Sequence, residues 1–155
     1  MRLTDILQPD CIKVPLAATA KEAAIYELVD LLAEQTAVSD SDKLKEAVWQ
    51  RETTRTTGIG HGIAIPHGKS EGVDKLRMAV GIAAEPLEFG AIDNRPVELV
   101  LLLASPIDQT GPHIQALARI SRMLTDDDFR QSLKKAESPE QVFEMIKEHE
   151  AKAPA

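Results

Sequence analysis

Two of the four histidines and four of the eight glycines of this chain fall between Gly58 and Gly68. Glycine lets the backbone take angles other residues avoid and lets other groups approach the main chain closely. Within this stretch His67 stands between Pro66 and Gly68. Proline narrows the conformations open to Ile65 before it, and glycine leaves space beside the ring. A neutral imidazole, with an ordinary pKa of about 6.5, is a competent nucleophile near neutral pH. If one ring nitrogen donates to a main-chain carbonyl, the tautomer is fixed and the other nitrogen is aimed outward. The chemistry this suggests is group transfer onto an imidazole. The plain alternative is a turn histidine without function.

Further residues could serve such a site. His113 lies in the first turn of an expected helix, in register with Leu117, Ile120 and Leu124, so it should face the body of the protein. A helix N-terminus favours anions, and a histidine there could donate to a phosphoryl oxygen. Taken alone, His113 reads first as a core or cap histidine. Arg51 shares a stripe with Leu44 and Val48, so its guanidinium should fold along the apolar face toward the interior. Its planar fork suits phosphate or carboxylate, but an ion pair with Glu52 or Glu46 fits equally well. Thr56 and Thr57 offer hydroxyls just before the glycines, for phosphoryl binding or for simple turn chemistry. The role of His61 stays open. A zinc site from His61, His67 and His113 lacks a carboxylate or cysteine at a usual spacing, so no metal is expected.

The nucleotide-binding glycine motifs fail on spacing. From Gly62 to Gly68-Lys69-Ser70 there are five intervening residues where a P-loop needs four. Gly58-Ile59-Gly60 lacks the third glycine of the dinucleotide fingerprint, since position 63 is Ile. No nucleophile-elbow signature for a Ser/His/Asp hydrolase is present.

The elements that must position these residues read as follows. Thr19-Ala20-Lys21-Glu22 looks like a capping box opening a helix through Ile25, Leu28, Val29 and Leu32. A second helix is expected over residues 42–52. Short strands should surround Gly58 and Ile63, and longer ones should cover 77–84 and 97–104, the latter buried on both faces. Pro112 is placed at the first position of a helix running to Leu124. Asp126-Asp127-Asp128 suits the start of another. Ser138-Pro139-Glu140-Gln141 caps a last helix ending near His149. Helices are expected at both chain ends. The fold class is α/β: a single domain over residues 1–150 with a small mixed sheet flanked by helices on both faces, followed by a flexible tail at 151–155.

Bulk properties narrow the function. A net charge of −7 argues against nucleic acid and anionic membrane as partners. Aromatic content of 3% leaves no platform for stacking bases. One cysteine, Cys11, allows no intrachain disulfide. With no signal segment at Met1, a cytoplasmic location is expected. No apolar run approaches the roughly 20 residues of a membrane helix.

Arg51-Glu52, Thr56-Thr57-Gly58 and Ala64-Ile65-Pro66-His67-Gly68 together resemble the IIA components of the bacterial phosphoenolpyruvate-dependent phosphotransferase system, fructose/mannitol type. Asp93-Asn94-Arg95-Pro96-Val97 and the helix at Pro112-His113 extend the likeness over about residues 3–148. Thr57 to Gly60 and Gly62 to Lys69 look most like the nitrogen-regulatory branch of that family. The resemblance implies that His67 is the phosphorylated residue, His113 the second active-site histidine and Arg51 the arginine beside it, with Thr57 at a Ser/Thr position of the site. It implies a small HPr-like phosphocarrier as donor and no cofactor. It also implies a regulated partner such as a sensor kinase, transporter or metabolic enzyme. A sugar-specific carrier feeding a separate permease component is the alternative, and the lack of a fused permease favours regulation. A hydrolase or kinase using His67 covalently would need a substrate pocket that the near-miss glycine motifs do not supply.

Overall fold

The computed structural model describes residues 1–36 and 38–152. A short 3₁₀ turn (Leu3–Asp5) leads into β1 (Leu7–Leu16). Then come α1 (Lys21–Gln35), α2 (Ser41–Thr54), β2 (Gly58–Gly60), β3 (Ile63–Ala64), β4 (His67–Lys69), β5 (Arg77–Leu87) and β6 (Val97–Ser105). Three helices close the order: α3 (Thr110–Met123), α4 (Asp127–Lys134) and α5 (Pro139–Lys152). The strands form one mixed sheet in the order β1-β5-β6-β3-β2, with β4 also pairing to β6. β5 runs antiparallel to β6, while β3 and β4 run parallel to it.

β6 is the frame of the molecule. Leu99 to Ser105 are all completely buried, as a strand covered on both faces must be. α1 packs on β1 and β5, α2 on α1 and β4, α3 on β6 and α5 on β1. The helices therefore flank the sheet as the sequence implied.

Several expectations need correction. The chain opens on the 3₁₀ turn and β1, not on a helix. β1 carries Pro9 and Pro15 and sits at the edge of the sheet, where a missing N–H costs no ladder bond on the free side. Thr19 does not cap α1. Ala20 holds the cap position without a side-chain bond, and Lys21, the first helical residue, reaches across to Glu52 and to the Phe89 carbonyl. Pro112 is the third residue of α3, still within the first turn where a helix needs no N–H donor. α5 continues to Lys152, so residues 151 and 152 of the expected tail are helical, and 153–155 lie outside the described residues. Asp126 does cap α4, accepting from the Phe129 amide. The Ser138 hydroxyl accepts from the Gln141 amide at 3.1 Å, and the Gln141 side chain accepts from the Glu137 amide at 2.9 Å.

Candidate functional site

β4 is only three residues long, yet it carries His67 and locks it to the frame. His67 is in register with Leu103 of β6, and the Leu103 amide donates to the Pro66 carbonyl at 3.0 Å. The His67 ring is fixed in turn. Its Nδ1 lies 2.8 Å from the Ile65 carbonyl oxygen. A carbonyl can only accept, so Nδ1 carries the proton and Nε2 keeps its lone pair. Burial of the ring pushes its pKa below the ordinary value, and the positive charges of Arg51 and Lys69 act in the same sense. The Ile65 carbonyl and the Glu52 carboxylate oppose them. The imidazole is thus neutral at pH 7.

His113 is brought to the same place from α3. The two ring centroids are 5.4 Å apart, with planes inclined by 59°. His113 is buried, and its pKa is pushed down to about 4 by that burial, by the neighbouring His67 and by Lys69. Its Nδ1 meets the Ser105 hydroxyl at 2.5 Å.

Two cavities open on His67. One, of about 300 Å³, is lined by Arg51, Thr56, Thr57, Ile65 and Leu117 among others. The second, of about 410 Å³, is lined by Arg51, Lys69, His113 and Leu117. Arg51 borders both. Its guanidinium is not folded into the interior; it is half-buried and donates to the Arg55 carbonyl at 2.8 Å on the exposed side of the helix end. The ion pair with Glu52 or Glu46 is absent among the described residues. Lys69 forms no ion pair there either, and donates to Thr110 Oγ1 at 3.1 Å. Two cations with no carboxylate partner around two neutral imidazoles make a site suited to a dianion.

For the threonines, the sequence leaves phosphoryl binding and simple turn chemistry open. Both border the 300 Å³ cavity, but Thr56 Oγ1 donates to the Phe89 carbonyl and accepts from the Gly58 amide. Thr57 Oγ1 donates to Glu52, and the Thr57 amide donates to the same carboxylate at 2.9 Å. Their hydroxyl protons are spent inside the protein, not offered to the cavity. Glu52, its side chain fully buried, completes the arrangement by pairing with Lys21 at 2.9 Å.

His61 belongs to the tight turn between β2 and β3, with φ of 59°. It lies outside the lining of both cavities that contain His67. Asp93 accepts from its amide and Lys134 donates to its carbonyl. No cluster of three or more metal-ligating side chains occurs among the described residues. Sequence reasoning passed over Lys69, although a strand puts residues two apart on one face, which ties it to His67. It also passed over Ser105 and the buried role of Glu52.

An α/β domain with a neutral, tautomer-locked imidazole in a cationic setting defines a site chemically suited to an anionic group. The chain belongs to the family "Phosphoenolpyruvate-dependent sugar phosphotransferase system, EIIA 2", which matches residues 5–149. Its relatives include a nitrogen regulatory protein of Klebsiella oxytoca, 38% identical over 151 residues, 96% of this chain and 91% of that protein. A fructose-specific EIIA component of Haloferax volcanii is 36% identical over 151 residues, 96% of this chain and 98% of that one. The fold matches the crystal structure of the nitrogen regulatory protein IIA-Ntr of Neisseria meningitidis with a TM-score of 0.82 at 29% identity, covering 92% of this chain and 97% of the other. The chain also spans 24% of the length of one larger curated relative, to which it is 33% identical. Among the described residues, no helix is long and apolar enough to cross a membrane.

Proposed function

We propose that His67 accepts a phosphoryl group from a phosphohistidine on a small HPr-like phosphocarrier protein, and that the phosphorylation state of His67 governs binding to a regulated partner. One observation carries this reading: Nδ1 of His67 donates to the Ile65 carbonyl, leaving Nε2 as the nucleophile beside Arg51, Lys69 and His113.

In the transfer step the Nε2 lone pair forms the new N–P bond while the N–P bond of the donor breaks. The donor ring keeps the electron pair of that bond. His67 retains its Nδ1 proton throughout, so no general base is needed. The transition state of phosphoryl transfer is loose, and catalysis rests on positioning and on charge stabilisation. Arg51 and Lys69 would face the equatorial oxygens. The rim supports a protein-sized donor: Ile59 and Ile92 border the 300 Å³ cavity and are 42% and 67% exposed. Apolar side chains at such exposure suit a protein interface.

The regulatory reading draws support from the nitrogen regulatory relatives and the IIA-Ntr structure. Phosphorylation adds about −1.5 to −2 charge at this rim, enough to change docking of a sensor kinase, transporter or metabolic enzyme. The second reading, a sugar-specific carrier, is favoured by the fructose-specific EIIA relative, which this chain covers almost completely; the size of the chain does not separate the two.

The test is incubation with phosphoenolpyruvate and the purified upstream proteins, followed by mass spectrometry that preserves phosphohistidine. Label on His67, absent from His67→Ala, is the expected result; label on another histidine in that variant overturns the assignment. Capture of a partner in only one phosphorylation state supports regulation. Passage of the label to a permease component with no such capture supports the sugar carrier.

A further inference from the structure

We infer that Ser105 is a positioning residue: its hydroxyl donates to Nδ1 of His113, which places the His113 proton on Nε2 and makes that nitrogen a neutral hydrogen-bond donor beside Nε2 of His67. The two active-site imidazoles are then held in opposite tautomers by opposite kinds of partner. The consequence for transfer rests on the proposed function, but the tautomers themselves do not.

The argument starts from what each partner can do. The carbonyl that faces Nδ1 of His67 is an acceptor only, so that nitrogen must bear hydrogen. The Ser105 hydroxyl that faces Nδ1 of His113 can donate or accept. Ser105 is completely buried, and its Oγ has no second hydrogen-bond partner among the described residues. If Nδ1 of His113 bore the proton, the serine hydroxyl would accept it and its own hydrogen would be stranded in the interior. A buried donor without an acceptor is costly. If the serine donates, both groups are satisfied and the remaining imidazole proton sits on Nε2.

That nitrogen is not sealed away. Among the described residues, the buried side-chain nitrogen or oxygen atoms lacking any partner are Arg77 Nε and Arg130 Nε; Nε2 of His113, which makes no hydrogen bond to those residues, is not among them. It therefore reaches the 410 Å³ cavity that His113 shares with His67, Lys69 and Arg51. The ring stays uncharged at neutral pH because Lys69 and burial both resist a further positive charge.

The geometry has a common frame. Ser105 ends β6, its carbonyl accepts from the Ser70 amide at 2.9 Å, and it pairs in register with Lys69. Two residues earlier on the same strand, Leu103 pairs with His67. One rigid strand thus sets both rings. A neutral donor opposite a phosphorylated Nε2 steadies an oxygen of the group without the hold of a full cation, which suits a phosphoryl group that must move on.

The experiment is long-range ¹H–¹⁵N correlation of the histidine rings in the unphosphorylated full chain near pH 7.5. Expected are a protonated Nδ1 and bare Nε2 for His67, and a bare, hydrogen-bonded Nδ1 and protonated Nε2 for His113. In Ser105→Ala the His113 Nδ1 resonance should move to that of a nitrogen without its donor, and the ring should begin to exchange between tautomers. Ser105→Thr should restore the wild-type pattern. Phosphoryl transfer to His67 should fall roughly tenfold in Ser105→Ala, less than the outright loss of one aligned donor because the His113 ring stays in place, and return in Ser105→Thr. A wild-type His113 protonated on Nδ1 overturns the inference whether or not either variant folds, as do His113 nitrogens unchanged in Ser105→Ala. A wild-type chain that takes no label sinks the phosphoryl-acceptor reading instead, and the nitrogen spectrum still judges the tautomers.

Discussion

Gly68 and Val48 are in backbone contact: a β-carbon on Gly68 would lie 2.9 Å from the Val48 nitrogen and 3.0 Å from its Cγ2. That contact presses α2 against β4. It fixes the separation of His67, one residue before Gly68, from Arg51, less than one turn after Val48. Gly68→Ala should push the helix outward, because real Cβ atoms do not sit that close to backbone. Overpacking of this kind costs about 1–3 kcal/mol, read as a lower urea midpoint with an unchanged slope. Phosphoryl acceptance should fall more than the stability loss explains, since Arg51 moves away from the ring. A variant with wild-type stability and rate would show that the contact relaxes without consequence.

Arg51 should matter to rate and little to folding. Its only side-chain hydrogen bond within the described residues is to the Arg55 carbonyl at an exposed helix end. Arg51→Ala is expected to slow transfer by a factor of about 100 to 1,000, the span seen when an aligned anion-stabilising donor is removed, with the melting temperature nearly unchanged. Arg51→Lys should recover part of the rate, keeping the charge but losing the fork. Equal rates for all three proteins would remove Arg51 from the site.

The framework was legible where burial dictates residue type. The run from Val97 to Ala104 announced a strand covered on both faces, and Leu44 and Val48 announced the inner side of α2. β1 was not legible, because Pro9, Asp10, Lys13 and Pro15 break its pattern and its existence depends on pairing with β5, far along the chain. His67 could be singled out from its neighbours alone. The geometry around it could not, since Ser105, Lys69 and Glu52 act through partners that only the folded sheet brings near. Thr57 shows the difference. From sequence its hydroxyl could serve a phosphoryl oxygen or simple turn chemistry; in the structure it is bound to a carboxylate on the preceding helix.

That reassignment makes Thr57 and Glu52 testable as structural residues. Glu52 accepts from the Thr57 amide and hydroxyl and pairs with Lys21. Glu52→Gln removes the buried charge, and with it two charge-assisted bonds and the partner of Lys21. A stability loss of about 1–3 kcal/mol is expected, smaller than for an isolated buried pair because Lys21 still reaches the Phe89 carbonyl. Thr57→Val should be destabilising for the same reason, whereas Thr57→Ser should be close to wild type in both stability and rate. If Thr57→Val instead keeps full stability and loses transfer, its hydroxyl serves the phosphoryl group after all.

The depressed pKa of His113 carries a stability signature at acid pH. In the unfolded chain its pKa is about 6.5; in the folded protein it is about 4. Between those values the unfolded state binds more protons than the folded one, so stability rises with pH through this window. The stabilisation is fully present above about pH 6.5 and is lost as pH falls toward 4. The difference amounts to on the order of 3 kcal/mol. Carboxylates also titrate below about pH 5, so the measurement is a comparison. His113→Asn keeps a polar group facing Ser105 but cannot titrate. Urea midpoints from pH 4.5 to 7.5 should fall more steeply for the wild type than for His113→Asn as the solution is acidified, and the two curves should run parallel above pH 7. Parallel curves over the whole range would mean that His113 is as easily protonated in the folded protein as in the unfolded chain, and that its ring is not held neutral beside His67.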